Sequence, residues 1–157
     1  MKTISRKLTT LTAILAALVS AVVVPGGVAS ASAADCAGGA NGFIDISDWG
    51  AADYRPVGPE LFWPDGTRVN LFFGTFSGRT RGYAELWNGT FDVPVTGTVW
   101  MDWSRDGGRT WLQCGPFGNP KNKASITSAA QLTNPSTSWV FRAGGYHNGQ
   151  QILTGWF

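Results

Sequence analysis

The residues able to do chemistry in this chain are few, and the most suggestive are acids that alternate with aromatic and polar residues at every second position. Tyr83, Glu85 and Trp87 alternate with Ala84 and Leu86, while Trp100, Asp102 and Ser104 alternate with Val99, Met101 and Trp103. In an extended strand residues i, i+2 and i+4 share a face, so each run carries one aromatic, acidic and polar face and one apolar face. If the two strands are neighbours, their faces merge into a stacking platform edged with hydrogen-bond acceptors, which suits sugar rings. The plainer reading is a two-sided core in which Arg79, Arg81, Arg105 or Arg142 neutralises the acids, because interiors absorb large aromatics readily. A hydrolase reading takes Glu85 and Asp102 as the carboxyl pair across a glycosidic bond, with Glu60 the only other glutamate. A domain of this size leaves little room for a deep, water-excluding cleft.

Other catalytic chemistry has thin support. Ser/His/Asp catalysis would have to use His147, the only histidine, which stands beside Asn148-Gly149 in a predicted turn where an exposed polar residue is ordinary. One histidine and two cysteines without a Cys-x-x-Cys spacing do not make a metal site, and no cofactor motif is present. In an exported chain Cys36 and Cys114 are expected to pair, which removes both as nucleophiles. Closing so long a loop stabilises a fold by roughly 4–5 kcal/mol in the chain-entropy account.

The compartment follows from the N-terminus. Lys2, Arg6 and Lys7 precede an apolar run from Leu8 to Val24, then Pro25-Gly26-Gly27, then the small residues Ala29 to Ala34. Charge, apolar run, breaker and small residues in that order read as a signal peptide, with cleavage after Ala33 or Ala34. Residues 1–34 are thus expected to be removed, leaving 35–157 as one secreted domain with no membrane attachment. Taking the three basic residues of the leader from the twelve Lys and Arg leaves nine against ten Asp and Glu. A near-neutral domain has no electrostatic footprint for nucleic acid or an anionic membrane.

All of the Trp, Phe and Tyr residues lie after the leader. No segment repeats apolar residues at helical spacing, and several alternate with period two between Gly, Pro, Asn and Asp clusters. Strands are predicted near 43–46, 68–75, 82–87, 97–104, 110–114, 125–132, 138–143 and 151–156. About eight short antiparallel strands give an all-β fold, either a small sandwich or a barrel. Asp65-Gly66, Asn88-Gly89 and Asn148-Gly149 suit tight turns, and the Gly115–Lys123 stretch reads as a loop.

One stretch carries a recognisable pattern. Ser104, Asp106, Gly108, Thr110 and Trp111 fit Ser-x-Asp-x-Gly-x-Thr-Trp, which resembles the Asp-box, the β-hairpin repeat of sialidases and many other secreted glycan-active proteins. Ser104 and Asp106 are suited to hydrogen-bonding turn amides, Gly108 to a positive φ, and Trp111 to folding back as an apolar plug. The Asp-box is structural and in enzymes usually lies away from the active site. Sialidases repeat it once per blade, whereas here it occurs once, and 123 residues cannot close six blades of roughly 40–50 residues each. The stretches around Tyr83–Trp87, Val99–Ser104 and Cys114–Phe117 are also similar to small exported proteins of actinobacteria, a resemblance that implies a compartment and a β fold but no activity.

The expectation is therefore a non-catalytic extracellular module that binds a polysaccharide or peptidoglycan through Tyr83, Glu85, Trp87, Trp100 and Asp102. The alternatives are a module engaging an extracellular protein, such as an inhibitor presenting the Gly115–Lys123 loop, and a small glycosidase.

Overall fold

The computed structural model describes residues 28–48, 51 and 53–157. The basic and apolar parts of the expected leader lie outside the described residues. Among the described residues there are ten strands: β1 (Val28–Ala31), β2 (Arg55–Phe62), β3 (Arg68–Phe76), β4 (Arg79–Trp87), β5 (Thr98–Ser104), β6 (Trp111–Phe117), β7 (Ser125–Thr127), β8 (Gln131–Leu132), β9 (Val140–His147) and β10 (Gln150–Leu153). One five-stranded sheet has the order β1-β6-β5-β9-β10, and the other runs β2-β3-β4-β7 with β8 also paired to β4. Two open sheets packed face to face make a sandwich and not a barrel.

Period-two alternation decides what lies between the sheets. Val69, Leu71, Ala84 and Leu86 point inward from β3 and β4, and meet Val99, Met101 and Trp103 of β5 and Phe141 and Ala143 of β9. The apolar faces read from the sequence for β4 and β5 are the core faces. Turn chemistry closes the hairpins as expected: Gly66 has φ 87°, and Asn148 and Gly149 have φ 47° and 78°. A further tight turn, Ser77-Gly78, joins β3 to β4 with φ 51° and 75° and was not foreseen.

The differences from expectation have local causes. The sequence Arg-Pro-Val-Gly-Pro-Glu-Leu-Phe does not read as a strand, yet it forms β2. Pro56 and Pro59 lack the N–H of a central strand, and they are accommodated because β2 is an edge with a register shift between Val57 and Leu61. The strand expected at 43–46 shrinks to one bridge between Ile44 and Ala130. The one expected at 125–132 splits into β7 and β8, since Ser128 turns its side chain to accept from the Ala84 amide.

At the N-terminal end, the helix α1 (Ala33–Ala37) starts with a capping box in which Ser32 and Asp35 satisfy each other's backbone amides. Cys36 and Cys114 form the expected disulfide, with Cα atoms 6.0 Å apart, tying α1 to β6. Just before α1, β1 pairs in parallel with β6, placing Val28 opposite Trp111 and Ala31 opposite Cys114. A chain beginning after Ala33 or Ala34 would lack this strand and the Ser32 cap. No helix among the described residues is long and apolar enough to cross a membrane.

Candidate binding pocket

The two aromatic and acidic faces predicted from β4 and β5 are not neighbours. The strands belong to different sheets, and their polar faces look out from opposite sides of the sandwich. The single platform that adjacency would have made is absent.

On the β5 side the face is closed. Trp100 lies flat on β9, where a Cβ on Gly144 would sit 2.2 Å from its indole, and only 6% of it is exposed. Asp102 is wholly buried and accepts from Arg142 Nε and Nη2 at 2.8 and 2.6 Å. Burial pushes the Asp102 pKa up, more than the hydrogen bonds and charge of Arg142 pull it down. The guanidinium of Arg142 in turn sits over Trp156 and Trp111, 4.5 and 5.1 Å from their centroids. Ser104 is equally enclosed: its Oγ accepts from the amides of Asp106 and Gly108 and donates to Asp106 Oδ1. Thr110 closes the turn by donating its amide and hydroxyl to the Asp106 carboxylate, and these bonds hold that carboxyl down at about pKa 2. Gly108 has φ 86°, and Trp111 packs edge-on against Trp156.

The β4 side is open. Its outward residues floor a pocket of about 270 Å³ lined by Tyr54, Glu60, Arg68, Phe72, Tyr83, Glu85, Trp87, Phe91 and Ser125 among others. Strand register explains who meets whom. Arg68 stands opposite Trp87, Asn70 opposite Glu85 and Phe72 opposite Tyr83, while Thr127 faces Glu85 from β7. Glu60 precedes the Leu61–Val69 pair of β2 and β3 by one residue, so Glu60, Asn70, Glu85 and Thr127 form one row across four strands.

The members of that row are held differently. Glu60 accepts from Arg68 Nη1 at 3.2 Å and from Asn70 Nδ2 at 3.3 Å. Glu85 accepts from the Ser125 hydroxyl at 2.6 Å. Burial raises the Glu85 pKa, opposed by the Ser125 bond and by the charge of Arg68, and reinforced by the negative charge of Glu60.

Around this acidic floor the aromatics form walls. Tyr83 lies stacked on Phe72 and edge-on to Phe76, and its phenol is pushed up in pKa by burial. Trp87 does not offer a free ring, since Arg68 covers it at 4.0 Å from the centroid and Phe91 tilts against it. The open aromatic surface belongs instead to Phe91, 70% exposed, and Tyr54, 56% exposed.

Of the expected ligand-binding residues, Tyr83, Glu85 and Trp87 line the pocket and Trp100 and Asp102 do not. Sequence reasoning missed Tyr54, Arg68 and Phe91 and left Glu60 without a place. The available signal was the alternation of Arg68, Asn70 and Phe72 on β3, which puts all three on the face opposite Val69 and Leu71.

His147 is not the exposed turn residue expected. It is 4% exposed, with Nε2 2.7 Å from Asp65 Oδ2 and Nδ1 2.6 Å from the Thr96 carbonyl oxygen. It pins the β2–β3 turn to the β9–β10 hairpin away from the pocket, and its hydrogen bond lowers the Asp65 pKa to about 2. The stretch expected as a Gly115–Lys123 loop is strand at its start, since Gly115–Phe117 end β6, and the rest is tied down: Asn119 Nδ2 donates to the carbonyls of Val95 and Lys123, and Lys123 pairs with Asp48 at 2.6 Å.

The chain matches no protein-family model, and no curated protein or solved structure is significantly similar to it.

Proposed function

We propose that this protein is an extracellular glycan-binding module whose site is the pocket on the outer face of β2, β3 and β4. The observation that carries the reading is the composition of that pocket: exposed aromatic walls from Tyr54 and Phe91, with Trp87 behind Arg68, around a floor of Glu60, Glu85, Arg68 and Ser125. A pyranose ring presents C–H groups to aromatic faces and hydroxyl groups to carboxylates and guanidinium. A concave, mostly apolar site with a few convergent polar groups suits such a ligand. The volume of about 270 Å³ fits one ring, such as a chain end or a side branch, and not a long stretch of polymer. The resemblance of residues 104–111 to the Asp-box of secreted glycan-active proteins agrees with this compartment and ligand class. The disulfide also suits an oxidising compartment.

The test is retention of the oxidised protein on insoluble cellulose, chitin, xylan and peptidoglycan, beside the variants Phe91→Ala and Trp111→Ala. Retention that Phe91→Ala loses and Trp111→Ala keeps supports the pocket. Failure to bind any of the polymers, or loss in Trp111→Ala alone, overturns it.

A further inference from the structure

We propose that the pocket, if it seats a sugar ring as argued above, also cleaves the glycosidic bond of that ring, with Glu85 as proton donor and Glu60 as base. Both glutamates of the chain line this one pocket, and their surroundings divide the two roles that glycoside hydrolysis needs. Glu60 accepts hydrogen bonds from Arg68 Nη1 and from the amide of Asn70, which aim its carboxylate. Glu85 accepts from a hydroxyl, no cation among the described residues is hydrogen-bonded to it, and burial favours its neutral form.

Asn70 supplies an independent observation. It is 2% exposed and stands directly opposite Glu85, and its buried Oδ1 has no hydrogen-bond partner among the described residues. Side chains directly opposite on paired strands have Cβ atoms about 4.5–5.5 Å apart. A protonated Glu85 satisfies that orphan acceptor by donating to it, which parks the proton at the pocket floor until a leaving oxygen takes it.

Glu60 and Glu85 sit on β2 and β4 with β3 between, so their backbones are separated by two strand spacings of about 4.8 Å each. Strands this far apart suit the inverting reaction, in which a water stands between the base carboxylate and the sugar. Water attacks the anomeric carbon and gives a proton to Glu60. The C1–O bond breaks, and the departing oxygen keeps the electron pair and takes the proton of Glu85. The products are the free sugar and an alcohol, and solvent then restores the proton to Glu85 and removes the one on Glu60.

The experiment pairs turnover with binding. The oxidised chain is incubated with methyl glycosides and the corresponding glycosyl fluorides of glucose, xylose, galactose and N-acetylglucosamine, and binding of each methyl glycoside is read by saturation-transfer NMR. The expected result is release of free sugar of inverted configuration from at least one methyl glycoside that binds. Glu85→Gln lowers that rate by about 10²–10⁴-fold, yet spares the fluoride, whose leaving group needs no proton. Glu60→Gln loses both reactions, and both variants still bind, which also shows that they fold. Binding without turnover overturns this inference and leaves the binding module standing. Absence of both binding and turnover overturns the two together. Retained configuration, or equal loss on glycoside and fluoride in Glu85→Gln, contradicts the assigned roles.

Discussion

The two outer faces of this sandwich carry similar patterns in sequence, an acid next to an aromatic on alternating positions, and they end as opposites. Around Asp102 the neighbouring strand supplies Arg142, which fills the space over the acid and stacks on Trp111 and Trp156, and Gly144, which lets Trp100 lie flat. Around Glu85 the neighbouring strand supplies Asn70, and the nearest guanidinium, that of Arg68, is turned onto Trp87 and Glu60. One face is filled over its acid by an arginine and a flat indole, and the other holds a pocket beside the packed cluster of Phe72, Tyr83 and Ala130. The difference teaches that the pattern within a strand is less informative than the residue standing across from the acid. An arginine there closes the face, and a short amide leaves it open.

The largest effect that separates the faces is expected from Asp102→Ala. It strands Arg142 in a mostly enclosed site, and breaking a buried pair in this way costs about 3–5 kcal/mol. Guanidinium unfolding reads this directly, and a loss within 1 kcal/mol would mean that the β5 face is not a closed core. Next is Gly144→Ala, where the new methyl meets the Trp100 indole and no flexible chain end can give way. Overpacking of this kind costs about 1–3 kcal/mol, readable as a lower Tm. The open face behaves in the reverse manner. Phe91→Ala should change stability by no more than about 0.5 kcal/mol, as surface substitutions do, while removing an exposed wall of the pocket and with it ligand retention.

The smallest effect concerns acid. Asp106 and Asp65 are held near pKa 2 by hydrogen bonds in turns. A depressed pKa stabilises the fold above the unfolded value of 3.8, and this contribution is lost as pH falls from about 4 towards about 2. Asp102 and Glu85 are raised instead, so their linkage contribution is present at low pH and declines as pH rises through their folded values. Asp106→Asn should therefore flatten the loss of stability between pH 4 and 2, and Glu85→Gln should leave that limb unchanged. Urea midpoints across the range check both.

Much of this was legible in the sequence, and what was not has a physical reason. The inward faces of β4 and β5, the turns at Asp65-Gly66 and Asn148-Gly149 and the Cys36–Cys114 bridge follow from alternation, turn residues and cysteine count, whereas Asn88-Gly89 makes a bend and no hairpin. β2 was invisible because Pro56, Gly58 and Pro59 break every strand rule except the one for edges, and without β2 no face could be assigned to Glu60. β1 was hidden in small residues that read equally well as a cleavage tract. The partner of Asp102 was one of four candidate arginines, a choice that only the β5–β9 register makes. The enclosure of His147 depends on Asp65, 82 residues away, a contact that spacing along the chain does not reveal.

The central claim is that ligand enters the Glu85 face and not the Asp102 face. The eight tryptophans each carry one indole N–H, so a ¹H–¹⁵N spectrum recorded during titration with xylo-, cello- and chito-oligosaccharides reports both faces at once. The account predicts that the Trp87 indole shifts with one of these sugars while those of Trp100, Trp111 and Trp156 stay in place. A shift confined to Trp111 or Trp156, or no shift at Trp87 with any of them, would contradict it.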